Sequence, residues 1–453
     1  MENKIFEKYS NIVDKYSDLI LKAERYIFAN PETGFKEYKT SKYMEDAFEA
    51  LGYTIHRAEG ITGFYTDIDT GRPGPKVLIF GELDSVICAE HPEADKETGA
   101  VHSCGHNCQC AALLGIAAAL KTPGALDGLS GSVKLCAVPA EELLETEYRE
   151  ELRKKGIIKY YGGKVEFMSR GYFDDCDLAF MVHTTSVEGS HCLLVRKGSN
   201  GCISKNVVYK GVAAHAGGAP NNGINALYAA NMGFNAVNAL RETMVDGQYV
   251  RIHSIITNGG QMVNAIPSEI AVETQVRGMS NDIIKMANDK VNRAYAAAAA
   301  SIGAKVEIHD RPGYSPVEND DTMIEIFEKV ANMCTTPDKI KINNVRGGGC
   351  SDIGDIQMVM PAIHPNVSGA TGKGHGSNYY ITDPESACVF SAKFQLVYLH
   401  ELLKDDAKEA KRVIANAKTP YKSMEEYFAA IDAFCKDREA VIYEEDGTVT
   451  LDI

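Results

Sequence analysis

The chain has 453 residues, of which 45% are hydrophobic and 24% charged, and its formal net charge is -15. That length exceeds what one compact core usually holds and predicts two or three domains. The acidic balance excludes the broad basic face that phosphate binding needs, so no nucleic-acid partner is expected, and no apolar run is long enough to span a bilayer, so no membrane partner is expected either.

The N-terminal MENKIFEKYSNIVDKYSDLI reads as one charged amphipathic helix without the apolar centre of a signal peptide, which predicts a cytoplasmic protein. Twelve cysteines, scattered in apolar contexts such as KLCAV, fit a reducing compartment. Up to about Cys192, short apolar strands (KVLIFGEL, GSVKLCAVPA, DLAFMVH) alternate with helices, the pattern of a largely parallel sheet covered on both faces. From about Ser199 to Pro312 the order becomes strand CISKNVVYKG, helix INALYAANMGFNAVNALRETM, strands YVRIHSIITNG and EIAVETQVRG, helix NDIIKMANDKVNRAYAAAAASIG and strand KVEIHDR. This β-α-β-β-α-β order predicts a ferredoxin-like unit. The first texture resumes near Tyr314. The expected domains are therefore residues 1–198 and 313–453 as one α/β domain, with 199–312 inserted into it.

The segment His102 to Cys110, HSCGHNCQC, is the densest in potential metal ligands. Cys104, His106, Cys108 and Cys110 alternate, and four such short bites cannot easily wrap one small ion. Cys104 and His106, completed by residues distant in the chain, make a better open site; Gly105 lets the backbone turn tightly, and a buried helix from Ala111 anchors it. The competing reading is a buried cysteine and a capping histidine. Cys108 and Cys110 are expected in the core, with a redox or metal-sensing role as the alternative.

Open α/β sheets bind ligands beyond the carboxyl ends of their strands. Asp84 follows KVLIFGEL, Glu141 and Glu142 follow GSVKLCAVPA, and His183 closes DLAFMVH. Singly these are ordinary strand-end or helix-start residues. Together with Cys104 and His106 they define one expected site.

The segments GELDSV, HSCGHN, VPAEE, FDDCDLAFMVH, GVAAHAGGAPNNGINAL, GGQMVNAIPSEIAVETQVRG, CSDIGD and GKGHG, in order from about Asp84 to His375, resemble the amidohydrolase branch of the aminoacylase-type metallopeptidases. Within it the likeness is to the p-aminobenzoyl-glutamate hydrolase group and related dipeptidases. The resemblance implies an α/β metallopeptidase catalytic domain, its mixed sheet covered by helices, with an inserted ferredoxin-like α+β lid and dimerisation domain. It implies two divalent metal ions per subunit, manganese or zinc, on Cys104, His106, Glu142, His183 and His375, with Asp84 orienting a ligand from behind. Glu141 would be the general base, His215 would stabilise the oxyanion, Asn264 and Arg277 would bind substrate, and the chain would form a homodimer through the insert.

The implied reaction is hydrolysis of the amide bond of small N-acyl amino acids, aroyl or aminoacyl. Two alternatives stand beside it. One is a dipeptidase or aminopeptidase that needs a free N-terminus; the other is a non-catalytic metal- or ligand-binding protein, which would have no need of the base at Glu141. Three departures from the family pattern are visible: Asn107 where many members have Asp, Gln109 where many have His, and a long charged connector, EYREELRKKGIIKYYGGKVEFMSRG, between Glu142 and His183. That connector is expected either to reshape the pocket mouth or to be a solvated helix.

Overall fold

The computed structural model describes residues 3–453, which divide into two compact units. The first comprises the chain up to Gly198, Glu318–Arg346 and Asp352–Met424; the second comprises Ser199–Val317, Gly347–Ser351 and Glu425–Ile453.

In the first unit a six-stranded sheet runs in the order His56–Arg57, Phe64–Asp69, Ser132–Val138, Lys76–Glu82, Leu178–Phe180, Ala362–Ile363. The last four strands are mutually parallel and the first two antiparallel, so the sheet is mixed. Register pairs Lys76 with Ser132 and Glu82 with Val138, so these two strands end side by side. Parallel strands buried on both faces read as continuous apolar runs, and VLIF and VKLCAV do so.

Helix His106–Leu120 is buried at every position, as a helix apolar all round must be. It lies against the Lys76–Glu82 strand, where Gly81 faces Leu113 and Cys110, and beneath helix Ser17–Phe28, where Gly115 leaves room for Ile20. The helix begins at His106, five residues earlier than expected, because Gly105 takes a left-handed conformation (φ 101°) and marks its N-terminal boundary. At the N-terminus the expected single helix is two, Asn3–Val13 and Ser17–Phe28, separated by a 3-10 turn at Asp14–Tyr16 as Tyr16 leaves helical geometry (φ -113°, ψ 8°). Among the described residues no helix is long and apolar enough to cross a membrane.

The second unit carries an antiparallel sheet in the order Arg251–Asn258, Glu269–Gly278, Gly201–Lys210, Lys305–Tyr314, Lys436–Glu439. Its first four strands have the ferredoxin-like arrangement. Helices Ala226–Ala239 and Asn281–Ala300 pack on it, capped by the side chains of Asn225 and Ser280, which accept from Leu227, Tyr228 and Ile283 N–H groups. Along Glu269–Gly278, burial alternates strictly, with Ile270, Val272, Thr274 and Val276 inward.

The expected boundary at 313 is corrected at the C-terminus, since Glu425–Ile453 belongs to the second unit. Lys436–Glu439 adds a fifth strand beside Lys305–Tyr314, Ala440 and Val441 enter that unit's core, and Arg438 pairs with Asp310 at 2.7 Å. The strand sequence KDRE is wholly polar, so no apolar alternation announces it.

Candidate active site

Three of the four parallel strands deliver the residues at or just beyond their C-terminal ends to one place. Glu82 ends its strand with Asp84 two residues beyond; Glu141 and Glu142 follow Val138; His183 follows Phe180. Gly105 sets Cys104 and His106 opposite them, and a side chain at position 105 would run into the Tyr379 hydroxyl, which donates to the Cys104 carbonyl at 3.1 Å.

Three clusters of donor atoms result, each with its atoms within 4.8 Å of one another: Cys104, His106 and His183; Cys104, Glu142 and His375; Glu82, His106 and Glu141. Cys104 Sγ is common to the first two. It lies 3.3 Å from His183 Nε2, and His375 Nε2 lies 2.9 Å from Glu142 Oε1. Buried His106 and half-buried His183 are oriented by backbone. Nδ1 of His106 donates to the Asp84 carbonyl at 3.0 Å and faces Asp84 Oδ1 at 3.3 Å, while Nδ1 of His183 donates to the Thr184 carbonyl at 2.6 Å. A carbonyl can only accept, so in both rings Nδ1 carries a proton and Nε2 is the atom turned toward the cluster.

Asp84 has a second task, because its Oδ2 accepts the Glu142 N–H at 2.8 Å. The turn before it is strained: Ala140 has φ 55°. Buried Glu37 holds that turn by accepting the Ala140 N–H at 2.8 Å, and buried Arg149 donates to the Glu142 carbonyl. His375, by contrast, stands on an exposed loop at φ 61°, tied by its N–H to the Ser103 carbonyl at 2.8 Å.

Charge at the site follows from this packing. Burial alone would raise the Cys104 thiol, but the imidazoles of His106 and His183 bring it down to about 6. Burial likewise opposes the Glu142 carboxylate, and His375 more than offsets it, leaving Glu142 at about 2; His375 is pushed up to about 11 by Cys104 and Glu142. Glu141 moves the other way. Burial, then the nearby Glu82 and Glu142 carboxylates, raise it well above the ordinary range.

A cysteine sulfur, imidazole nitrogens and carboxylate oxygens converging on one place form a donor set suited to first-row divalent cations. The expected residues Asp84, Cys104, His106, Glu141, Glu142, His183 and His375 are thus brought together. His215, Asn264 and Arg277 lie in the second unit and in none of the three clusters. His215 and Asn264 are exposed on adjoining segments, with a bridge between His215 and Ala265 and the Ala216 N–H donating to the Asn264 carbonyl at 3.0 Å. Arg277 is half-buried on its strand and donates to Gln275 at 2.7 Å, and its Nε has no partner among the described residues.

Sequence reasoning missed Glu82, Glu37, Arg149, Lys164 and Asp352, all of them buried. Glu82 had a signal in GELDSV; the others look like solvated charges. The connector is not a solvated helix throughout, since Arg149, Lys164 and Glu166 turn inward. Cys108 and Cys110 are fully buried, and Cys110 donates to the Glu82 carbonyl at 2.9 Å.

Comparison with known proteins gives this geometry a family. The thermostable carboxypeptidase 2 of Saccharolobus solfataricus is 26% identical over 340 residues, covering 73% of this chain and 82% of that protein. The Xaa-Arg dipeptidase of Homo sapiens is 27% identical over 391 residues (81% and 80%), and a p-aminobenzoyl-glutamate hydrolase chain of Escherichia coli is 26% identical over 310 (66% and 57%). The fold is shared with a dinuclear metal binding peptidase of the M20 family from Bacillus subtilis, at a TM-score of 0.63 and 21% identity, covering 86% of this chain and 99% of that one. The pattern of peptidase family M20/M25/M40, a family of hydrolases, matches residues 78–399, well over half of the sequence, and the chain belongs to that family.

Proposed function

We propose that the protein is a metal-dependent amidohydrolase that cleaves the amide bond of small N-acyl amino acids, aroyl or aminoacyl, and releases the free amino acid. The observation that carries this reading is Cys104 Sγ, shared by two donor clusters, with the buried Glu141 beside them. Two divalent cations, manganese or zinc, would be held by Cys104 with His106 and His183 and by Cys104 with Glu142 and His375. Bound there, they would supply Lewis acidity toward an amide carbonyl and toward water.

The chain's own residues do the rest. Asp84 fixes the tautomer of His106 and the position of Glu142. Glu141, whose proton affinity is raised by burial, takes a proton from the attacking water on its carboxylate and returns it to the nitrogen of the leaving amine. His215 donates to the developing oxyanion with Asn264 beside it, and Arg277 offers its guanidinium to the carboxylate of the amino acid. Xaa-Arg dipeptides and p-aminobenzoyl-glutamate, which the relatives are named for, share an amide bond to an amino acid.

A homodimer through the second unit is part of the proposal. Ile255 and Ile256 stand exposed on the edge strand Arg251–Asn258, and Met262 and Val263 follow it, an apolar edge that a second copy would cover. Twelve free cysteines favour a reducing, cytoplasmic setting.

The test is release of amino acid from benzoyl-, p-aminobenzoyl- and alanyl-amino acids by protein loaded with manganese or with zinc. Turnover of the acyl substrates is expected. Turnover of alanyl substrates alone would show that a free amine is required and make the enzyme a dipeptidase; no turnover of any of them contradicts the reading.

A further inference from the structure

The connector between Glu142 and His183 sends its charges inward, and one of them reaches the site. Its helix Gly163–Ser169 starts against the turn that carries Glu141: the Gly163 N–H donates to the Ala140 carbonyl at 3.1 Å, and any side chain at position 163 would collide with the Pro139 carbonyl. This seats Lys164, wholly buried, with its ammonium donating to Glu82 Oε1 and Asp352 Oδ1 and its backbone N–H donating to Asp352 Oδ2 at 3.0 Å. The other oxygen of Glu82 accepts from Gln109 at 2.8 Å and lies 3.2 Å from His106 Nε2. That same nitrogen is 3.8 Å from Glu141 Oε2.

A buried cation bonded to two carboxylates has few alternative arrangements, because breaking either pair leaves an uncompensated charge away from water. Its geometry is therefore passed to whatever its partners touch. We propose that Lys164 is a positioning residue of the active site: by clamping Glu82 between itself and Gln109, with Asp352 as counter-charge, it fixes the carboxylate that faces His106 and Glu141 and so sets the placement of both. The kinetic half of this inference rests on the amidohydrolase reading above; the geometric half does not.

The test compares Lys164→Met, which removes the charge at similar length, with Lys164→Met/Asp352→Asn, which also removes the carboxylate left without its partner. Each is measured for kcat, for KM, for melting temperature, and for the visible absorption of the cobalt(II)-loaded protein, which reports the donors around the ion. Lys164→Met is expected to lower kcat by roughly tenfold to a hundredfold, the usual cost of misplacing a reacting group, with KM changed by less than about twofold. Its cobalt spectrum is expected to be displaced, and the double variant to fall between it and the wild type in both readouts.

Wild-type kcat and spectrum in Lys164→Met, with only the melting temperature lowered, would make Lys164 structural and overturn the proposal. Should that variant not fold, the double variant decides, and wild-type kcat and spectrum there would equally overturn it. If the wild-type protein hydrolyses none of the acyl or alanyl substrates, the proposed function fails and the cobalt spectra alone decide on Lys164.

Discussion

Cys104 Sγ belongs to two clusters at once, so removing the sulfur takes a potential donor atom from both. Cys104→Ala is expected to lower the metal content of the purified protein below two ions per chain, and elemental analysis that still found two full equivalents would take Cys104 out of the ligand set. Arg277 has the opposite character, a guanidinium that donates to Gln275 and whose Nε has no partner among the described residues. A charged hydrogen bond to the substrate carboxylate is worth about 1.5–3 kcal/mol, roughly tenfold to a hundredfold in kcat/KM. Arg277→Ala should show that loss on acyl-amino acids, while the matching amides, poor substrates for both proteins, scarcely discriminate between them. Equal losses on acids and amides would mark Arg277 as structural. Asp84, Glu141, Glu142 and His183 were legible in the sequence because each directly follows an apolar strand, and the sheet gathers strand ends. His375 had no such signal, since a histidine in a glycine-rich loop has no periodicity to place it, and only the family resemblance singled it out. Asp352 stood in the sequence only as part of the segment CSDIGD, without a role, and Lys164, Arg149 and Glu37 were not legible at all: their burial is decided by packing between segments far apart in the chain.

At the scale of elements, apolar periodicity announced the parallel strands and the ferredoxin-like order, and it failed where an element is polar. Lys436–Glu439 is such an element, held to the second unit's sheet by register and by charge. Beneath it Asp310, buried, accepts from Arg438 at 2.7 Å, Asn288 at 3.1 Å and Asn292 at 3.0 Å, and pairs with Lys205. Burial alone would raise its carboxyl, and the Lys205 ammonium with these hydrogen bonds reverses that, holding it below the ordinary value. A carboxyl depressed in the folded state contributes stability above its unfolded pKa of about 3.9 and loses it as pH falls through the lower folded value. Asp310→Asn should therefore cost about 3–5 kcal/mol near neutrality, the usual loss on breaking a buried pair. The variant's deficit should shrink as pH falls below about 4. Melting curves across that range check both; a deficit independent of pH would show that the carboxylate charge is not what holds the strand.

For the whole molecule, the proposal divides the chemistry between a donor cluster in one unit and His215, Asn264 and Arg277 in the other. If His215 acts across a dimer interface, inactive His215→Ala and inactive Glu141→Gln proteins should regain activity when their subunits exchange, because one composite site of the mixed dimer contains both intact residues. No recovery after verified exchange would mean a site complete within one chain. The proposed mechanism turns most directly on Glu141, and the measurement that tests it is hydrolysis of an N-acyl amino acid by Glu141→Gln, with wild-type metal content confirmed in the same preparation. Loss of kcat by roughly a hundredfold or more is expected, the contribution typical of general acid–base catalysis; a kcat near that of the wild type would contradict the mechanism.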